Sequence, residues 1–179
     1  DGKTDETECW TPIFNNQMFF LGNFADMDTD DLMIQAYALH SVGMLDKAIE
    51  KCLCAIAFSD EREDTVLLCF DLIKKLDGAS SAISFLRPYV DRRPDSPALA
   101  SALAATLNTV GRVDEAIPMF RRALAADPGE MGAVTRLAYI LLRCGEPGDA
   151  ARIFEIAAVN LASTRFCNNR AATMFAEFG

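Results

Sequence analysis

Thirty-four residues separate Gly111 from Gly145, Ala116 from Ala150, Phe120 from Phe154 and Pro94 from Pro128. Two such steps carry Gly43 to Gly111 and Ala48 to Ala116. A gap-free period of this length marks one helical hairpin copied in tandem. A single hairpin buries only half of its apolar surface, so the copies must stack, and each touches only its neighbours. The period therefore restricts the chain to an all-α solenoid before any other feature is considered.

Frames starting at Thr29, Glu63, Pro97 and Met131 hold the period without a gap. The third frame reads Ala100, Leu103-Ala104, Leu107, Gly111, Ala116, Phe120, Ala123 and Pro128. The fourth reads Val134, Leu137-Ala138, Leu141, Gly145, Ala150, Phe154 and Ala157. The first gives Leu32, Gln35-Ala36, Leu39, Gly43, Ala48, Cys52 and Ala55. The second, the most diverged, gives Val66, Cys69-Phe70, Ile73, Asp77 in place of glycine, Ala82, Leu86, Tyr89 and Pro94. Apolar residues three and four apart put a stripe on one side of each helix. Small residues such as Ala104 and Ala116 let paired helices approach closely. Glycine at 43, 111 and 145 suits the left-handed residue that ends a first helix. Asp114 and Glu115 place acids at the positive end of the next helix. Asp127-Pro128 closes the hairpin, because a residue before proline avoids helical geometry.

These columns resemble the tetratricopeptide repeat, in which Leu-small, a large residue, Ala-x-x-x-aromatic and a closing proline recur at this spacing. The resemblance implies four hairpins, at residues 29–62, 63–96, 97–130 and 131–164. Residues 1–28 form an acidic tail followed by an aromatic-rich helix, with Phe14, Met18 and Leu21 in second-helix columns of an earlier repeat. Residues 165–179 form a last helix, with Ala171, Ala172 and Phe175 in first-helix columns. Helices at both ends would cover apolar surface that otherwise faces water. Two prolines break the pattern. Pro118 should cost one hydrogen bond near a first turn, and Pro88 should bend or shorten its helix.

The net charge of −9 is uneven. Residues 1–31 hold eight acids against Lys3, and the remaining chain is close to balanced. With no basic excess to displace counterions, nucleic-acid binding is not expected. The Met18-Phe19-Phe20-Leu21 run falls far short of the roughly 20 apolar residues of a membrane span, so no membrane insertion is expected. His40 is the single histidine. No phosphate loop or nucleophile motif surrounds it, and no enzyme, cofactor or metal site is expected. Cys52 and Cys54 diverge on one helix, and Cys52, Cys69 and Cys144 fall on or beside packing columns. They read as buried thiols, with a Cys52–Cys69 disulfide as the alternative. Thiols favour a cytoplasmic setting.

In tetratricopeptide-type stacks the first helices line a concave face. The positions expected to project into it are Met33, Tyr37, His40 and Ser41; Leu67, Asp71, Lys74 and Lys75; Ser101, Ala105, Asn108 and Thr109; and Thr135, Arg136, Tyr139, Leu142 and Arg143. Asn169 and Arg170 extend the set on the last helix. The expected partner is a protein or peptide segment with apolar anchors and an acidic group. The Lys and Asn clamp with which some relatives hold a chaperone's C-terminal carboxylate is missing, because Met33, Tyr37, Ser101, Ala102 and Ala105 stand in its places. The layout and acidity are similar to the small chaperones of bacterial type III secretion, which implies an adaptor or chaperone role. The alternative is a scaffolding segment of a larger assembly, such as secretion or polysaccharide-export machinery. The first residue, Asp1 rather than methionine, weighs toward that segment. Phe14, Phe19, Phe20 and Phe24 cannot share one side of a helix. They are a candidate second interface, with a homodimer as one outcome.

Overall fold

The computed structural model describes residues 28–58 and 62–160 as eight helices and no strand. They are α1 (Thr29–Ser41), α2 (Leu45–Phe58), α3 (Glu63–Leu76), α4 (Ala79–Arg92), α5 (Pro97–Thr109), α6 (Val113–Ala126), α7 (Met131–Arg143) and α8 (Pro147–Asn160). The first helices start 34 residues apart, and so do the second helices, so the period read in the sequence is the period of the backbone. Each helix packs on the next, and first helices of successive hairpins also touch, α3 on α5 and α5 on α7. The first helices therefore form the inner layer of the stack. The Phe14, Phe19, Phe20 and Phe24 interface, the two end helices, and Asn169 and Arg170 lie outside the described residues.

The periodic columns form one continuous core. Ala48, Ala82, Ala116 and Ala150 are all fully buried, as are Cys52, Leu86 and Phe120, with Phe154 scarcely less so. Removing a buried phenylalanine of this kind costs about 3–5 kcal/mol. Here the loss would fall on two hairpins at once, because each interface is shared. The second hairpin is the exception. Phe70 stands where the others have Ala36, Ala104 and Ala138, and α3 and α4 make the loosest of the four hairpin pairings. A phenyl ring there fills space that alanine leaves open for close approach in the other hairpins.

Helix ends follow local chemistry. Asp28 accepts a hydrogen bond from the Asp30 amide at 3.3 Å and Ser96 one from the Leu99 amide at 3.2 Å, each satisfying an orphan donor of a first turn. Glu130 does the same for Gly132 and Ala133 of α7. At the other end, Gly43, Gly111 and Gly145 have φ of 83°, 82° and 80°. The amides that follow them, of Met44, Arg112 and Glu146, each close 2.9 Å onto a carbonyl of the last helical turn. The second hairpin solves its turn differently. There α3 runs one residue further, Asp77 stays right-handed, and the residue with positive φ is Gly78. Asp77 thus does not take the glycine's role. Gly78 instead takes an extended conformation (φ 91°, ψ 180°) open to glycine and precedes the first turn of α4.

Two further expectations need correction. Pro88 does not shorten its helix, since α4 keeps the 14 residues of α2, α6 and α8. It lies on the exposed side, where water can take up the carbonyl left unbonded at Ser84. Cys144 is exposed, because it caps α7 in the turn and does not belong to the apolar stripe. Cys54 is buried with Leu32, Met33 and Ala55 in a small cluster of its own. Cys52, Cys54 and Cys69 are free thiols, and no disulfide joins Cys52 to Cys69. Burial pushes Cys52 up to about 12, and burial, together with the neighbouring Cys52, pushes Cys69 higher still.

Two measurements check this description. Alanine at Gly111 would meet no atom within 4 Å yet would have to adopt a left-handed backbone, so Gly111→Ala should lower the urea unfolding free energy by about 1 kcal/mol. Gly148→Ala, equally uncrowded but with ordinary helical φ, should be neutral or slightly stabilising. Alkylation mapped by mass spectrometry at pH 8 should label Cys144 well before Cys52 or Cys69. Unfolded thiols ionise near 8.5 while these two stay protonated when folded. The unfolded state then binds fewer protons, so their contribution to stability should hold below about pH 8.5 and decline toward pH 12.

Candidate functional site: the inner face of the first helices

Position along each first helix decides which side chains reach the inner surface. Tyr37, Asp71, Ala105 and Tyr139 occupy one register position at successive steps of 34. Tyr37 and Tyr139 are 52% and 60% exposed, unusually open for rings of that size. Asp71 is exposed between them, and Ala105 is half-buried against the core. The face is thus an aromatic at each end with a carboxylate and a small gap between.

Cations surround the fourth-hairpin tyrosine. The Arg143 guanidinium lies 5.9 Å from the Tyr139 ring centroid, within reach of its negative face. Arg136 is exposed one turn earlier on the same helix, and Thr135 is exposed beside it. On the other side of the stack, Lys75 Nζ lies 2.8 Å from His40 Nε2. An ammonium can only donate, so this nitrogen of the half-buried ring is the acceptor. That bond ties α1 to α3. Lys74 runs the other way: its ammonium donates to Thr106 Oγ1 of α5 at 3.2 Å and sits 5.8 Å over the Phe70 ring. It too fastens two hairpins, but it is half-buried where Lys75 is exposed.

Several expected groove residues are structural instead. Met33 is 7% exposed and packs with Leu32, Cys54 and Ala55, because α1 turns that position toward α2. Ser101 is 6% exposed and donates its hydroxyl to Glu130, the residue that caps α7. Leu67 and Leu142 are half-buried against the core, and Asn108 is half-buried as well. Ser41 and Thr109, though exposed, turn their hydroxyls back onto the Ala38 and Ala105 carbonyls. One residue was missed. Ile34 is 66% exposed and shares its register position with Arg136. Carrying Arg136 back by three periods would have found it.

Ion pairs reinforce the ends of the hairpins. Arg62 bridges Asp30 at 2.6 Å and Asp64 at 2.8 Å, and its hydrogen bond holds the Asp64 carboxyl below the usual carboxylate range. Arg112 at 2.6 Å and Arg87 at 2.9 Å hold Glu115 low in the same way. These pairs are solvent-exposed and screened, so each adds little to stability. Among the described residues no cluster of His, Cys, Asp and Glu could hold a metal ion, and no helix is long and apolar enough to cross a membrane.

Comparison with known proteins bears on the backbone. Two tetratricopeptide-repeat family models match, over residues 80–130 and 107–159. No curated protein matches the chain in sequence. Among solved structures, a crystal structure of MamA is similar with a TM-score of 0.62 at 14% identity, covering 84% of this chain and 88% of that one. MamA 41-end from Desulfovibrio magneticus RS-1 gives 0.59 at 15% identity, covering 87% and 95%. A tetratricopeptide repeat protein from Parabacteroides merdae ATCC 43184 gives 0.64 at 14% identity, covering 83% and 60%. The chain thus carries tetratricopeptide repeats, and its described helices form the α-solenoid of that repeat.

Proposed function

We propose that this chain is a non-catalytic protein-interaction module that holds a partner's extended or helical segment along its inner face. The tetratricopeptide fold supports an interaction role in general. The observation that carries the specific reading is the pair of open tyrosines, Tyr37 and Tyr139, with Arg143 near the Tyr139 ring and Arg136 and Lys75 exposed on first helices. Tyrosine offers flat apolar area with a polar tip, at a low entropic cost of ordering. The cations select a guest with at least one acidic group, inside a chain whose overall charge would repel it. Within this reading, a chaperone for an exported protein and a scaffold joining subunits of an assembly would use the same trough. One abundant partner captured at native salt marks the first, and several in fixed ratio mark the second.

Selection from a displayed random-peptide library tests the reading. Enriched peptides should combine an aromatic or aliphatic anchor with Asp or Glu, and their affinity should fall as salt is raised. Tyr139→Ala should weaken them by roughly 1–3 kcal/mol, and Arg143→Glu should shift the charge preference. No enrichment over an unrelated helical protein would end the proposal. An unaltered dissociation constant for Tyr139→Ala would remove that residue from the site.

A further inference from the structure

An apolar line runs along the edge where the first helices end. Val42, Leu76, Val110 and Cys144 hold one register position at steps of 34. Val42, Val110 and Cys144 cap α1, α5 and α7, and Leu76 is the last residue of α3. The fold uses the backbone of the three caps: their amides bond back to the Ala38, Thr106 and Ile140 carbonyls at 3.3, 3.2 and 3.0 Å. The side chains are left to water. Val42, Leu76 and Val110 are 74%, 42% and 40% exposed, and Cys144, a small apolar group as a thiol, is exposed with them. Turns draw on Gly, Asn, Asp and Ser for backbone reasons, and none of those reasons calls for an apolar side chain here in all four hairpins.

The charge beside this line is one-sided. On the helix side, Lys75 and Arg143 are its exposed neighbours in sequence. Ser41 and Thr109 hold the same place on α1 and α5, with their hydroxyls already bonded to the Ala38 and Ala105 carbonyls. His40 and Lys74 lie one residue further in, and no acid stands in the last turn of any first helix. Asp77, Glu146 and the Arg112–Glu115 pair stand beyond the line, in the turns and the helix starts that follow. First helices that touch lie roughly 8–10 Å apart, so the line offers one anchor point at each such step. A helix rises about 10.5 Å in seven residues, and residues seven apart share a face. An extended strand covers that distance in about three residues, which face opposite ways. We propose that this edge docks a partner helix with an aliphatic residue at every seventh place and acidic residues on the flank that meets Lys75 and Arg143. The inference goes beyond the inner-face reading, because no member of the line shares the register position of Tyr37 and Tyr139.

A stapled synthetic helix with leucine at every seventh place and glutamate four residues after each tests it, with its lysine-for-glutamate counterpart as control. Titrated against the full chain by fluorescence anisotropy, the glutamate helix should bind about tenfold more tightly than the lysine helix. Leu76→Ser combined with Val110→Ser should weaken that binding about fivefold or more, and saturating glutamate helix should slow alkylation of Cys144. Both substituted side chains are exposed, so the double variant should keep the wild-type unfolding midpoint. Tyr139→Ala should change neither readout. No binding of the glutamate helix, equal affinity for wild type and the double variant, or an unprotected Cys144 would overturn the proposal. A loss of affinity in Tyr139→Ala would do so too, because the helix would then lie in the trough. So would wild-type self-association in sedimentation that the double variant abolishes, since the edge would then belong to a second copy.

Discussion

Every described hairpin after the first depends on the burial of a first helix by the second helix before it. That single contact repeats along the stack and explains the rest of the architecture. It makes the period strict, because a one-residue slip would rotate a stripe of Leu103, Leu107, Leu137 or Leu141 away from its neighbour. It also assigns the layers: second helices provide cohesion, and first helices, touching one another on the inside of the curve, present what remains of their surface to a trough.

Most of this frame could be read before any coordinates, because glycine, proline and alanine act through the backbone and need no tertiary context. Gly43, Gly111 and Gly145 stood at the turns, and the helices begin on the frames Thr29, Glu63, Pro97 and Met131. The second hairpin was misread where two local rules compete. Asp77 was aligned to the glycine column, but a non-glycine residue resists the left-handed region, so the helix ran on by one residue and used Gly78.

The inner face was harder to read, because exposure at a given register position depends on what the neighbouring hairpin puts against it. Met33 and Thr135 share a position, yet one is covered and the other open. Leu32, Cys54 and Ala55 close around Met33, whereas nothing comparable covers Thr135. Ser101 is hidden for another reason: the carboxylate of Glu130 both caps α7 and accepts its hydroxyl, a coupling between two hairpins that no single-helix pattern records. Lys74 and Lys75 are adjacent and alike in sequence, but one reaches forward to Thr106 and the other back to His40. Only the stacking geometry separates their roles.

The division between packing columns and trough has an evolutionary consequence. Tyr37, Asp71, Ala105 and Tyr139 stand on a line that the core scarcely uses, so substitution there costs the scaffold little. Ala48, Ala82, Ala116 and Ala150 are fully buried and admit almost no substitution. The inner line can therefore vary while the backbone stays superposable, and proteins sharing about one residue in seven with this chain have this shape.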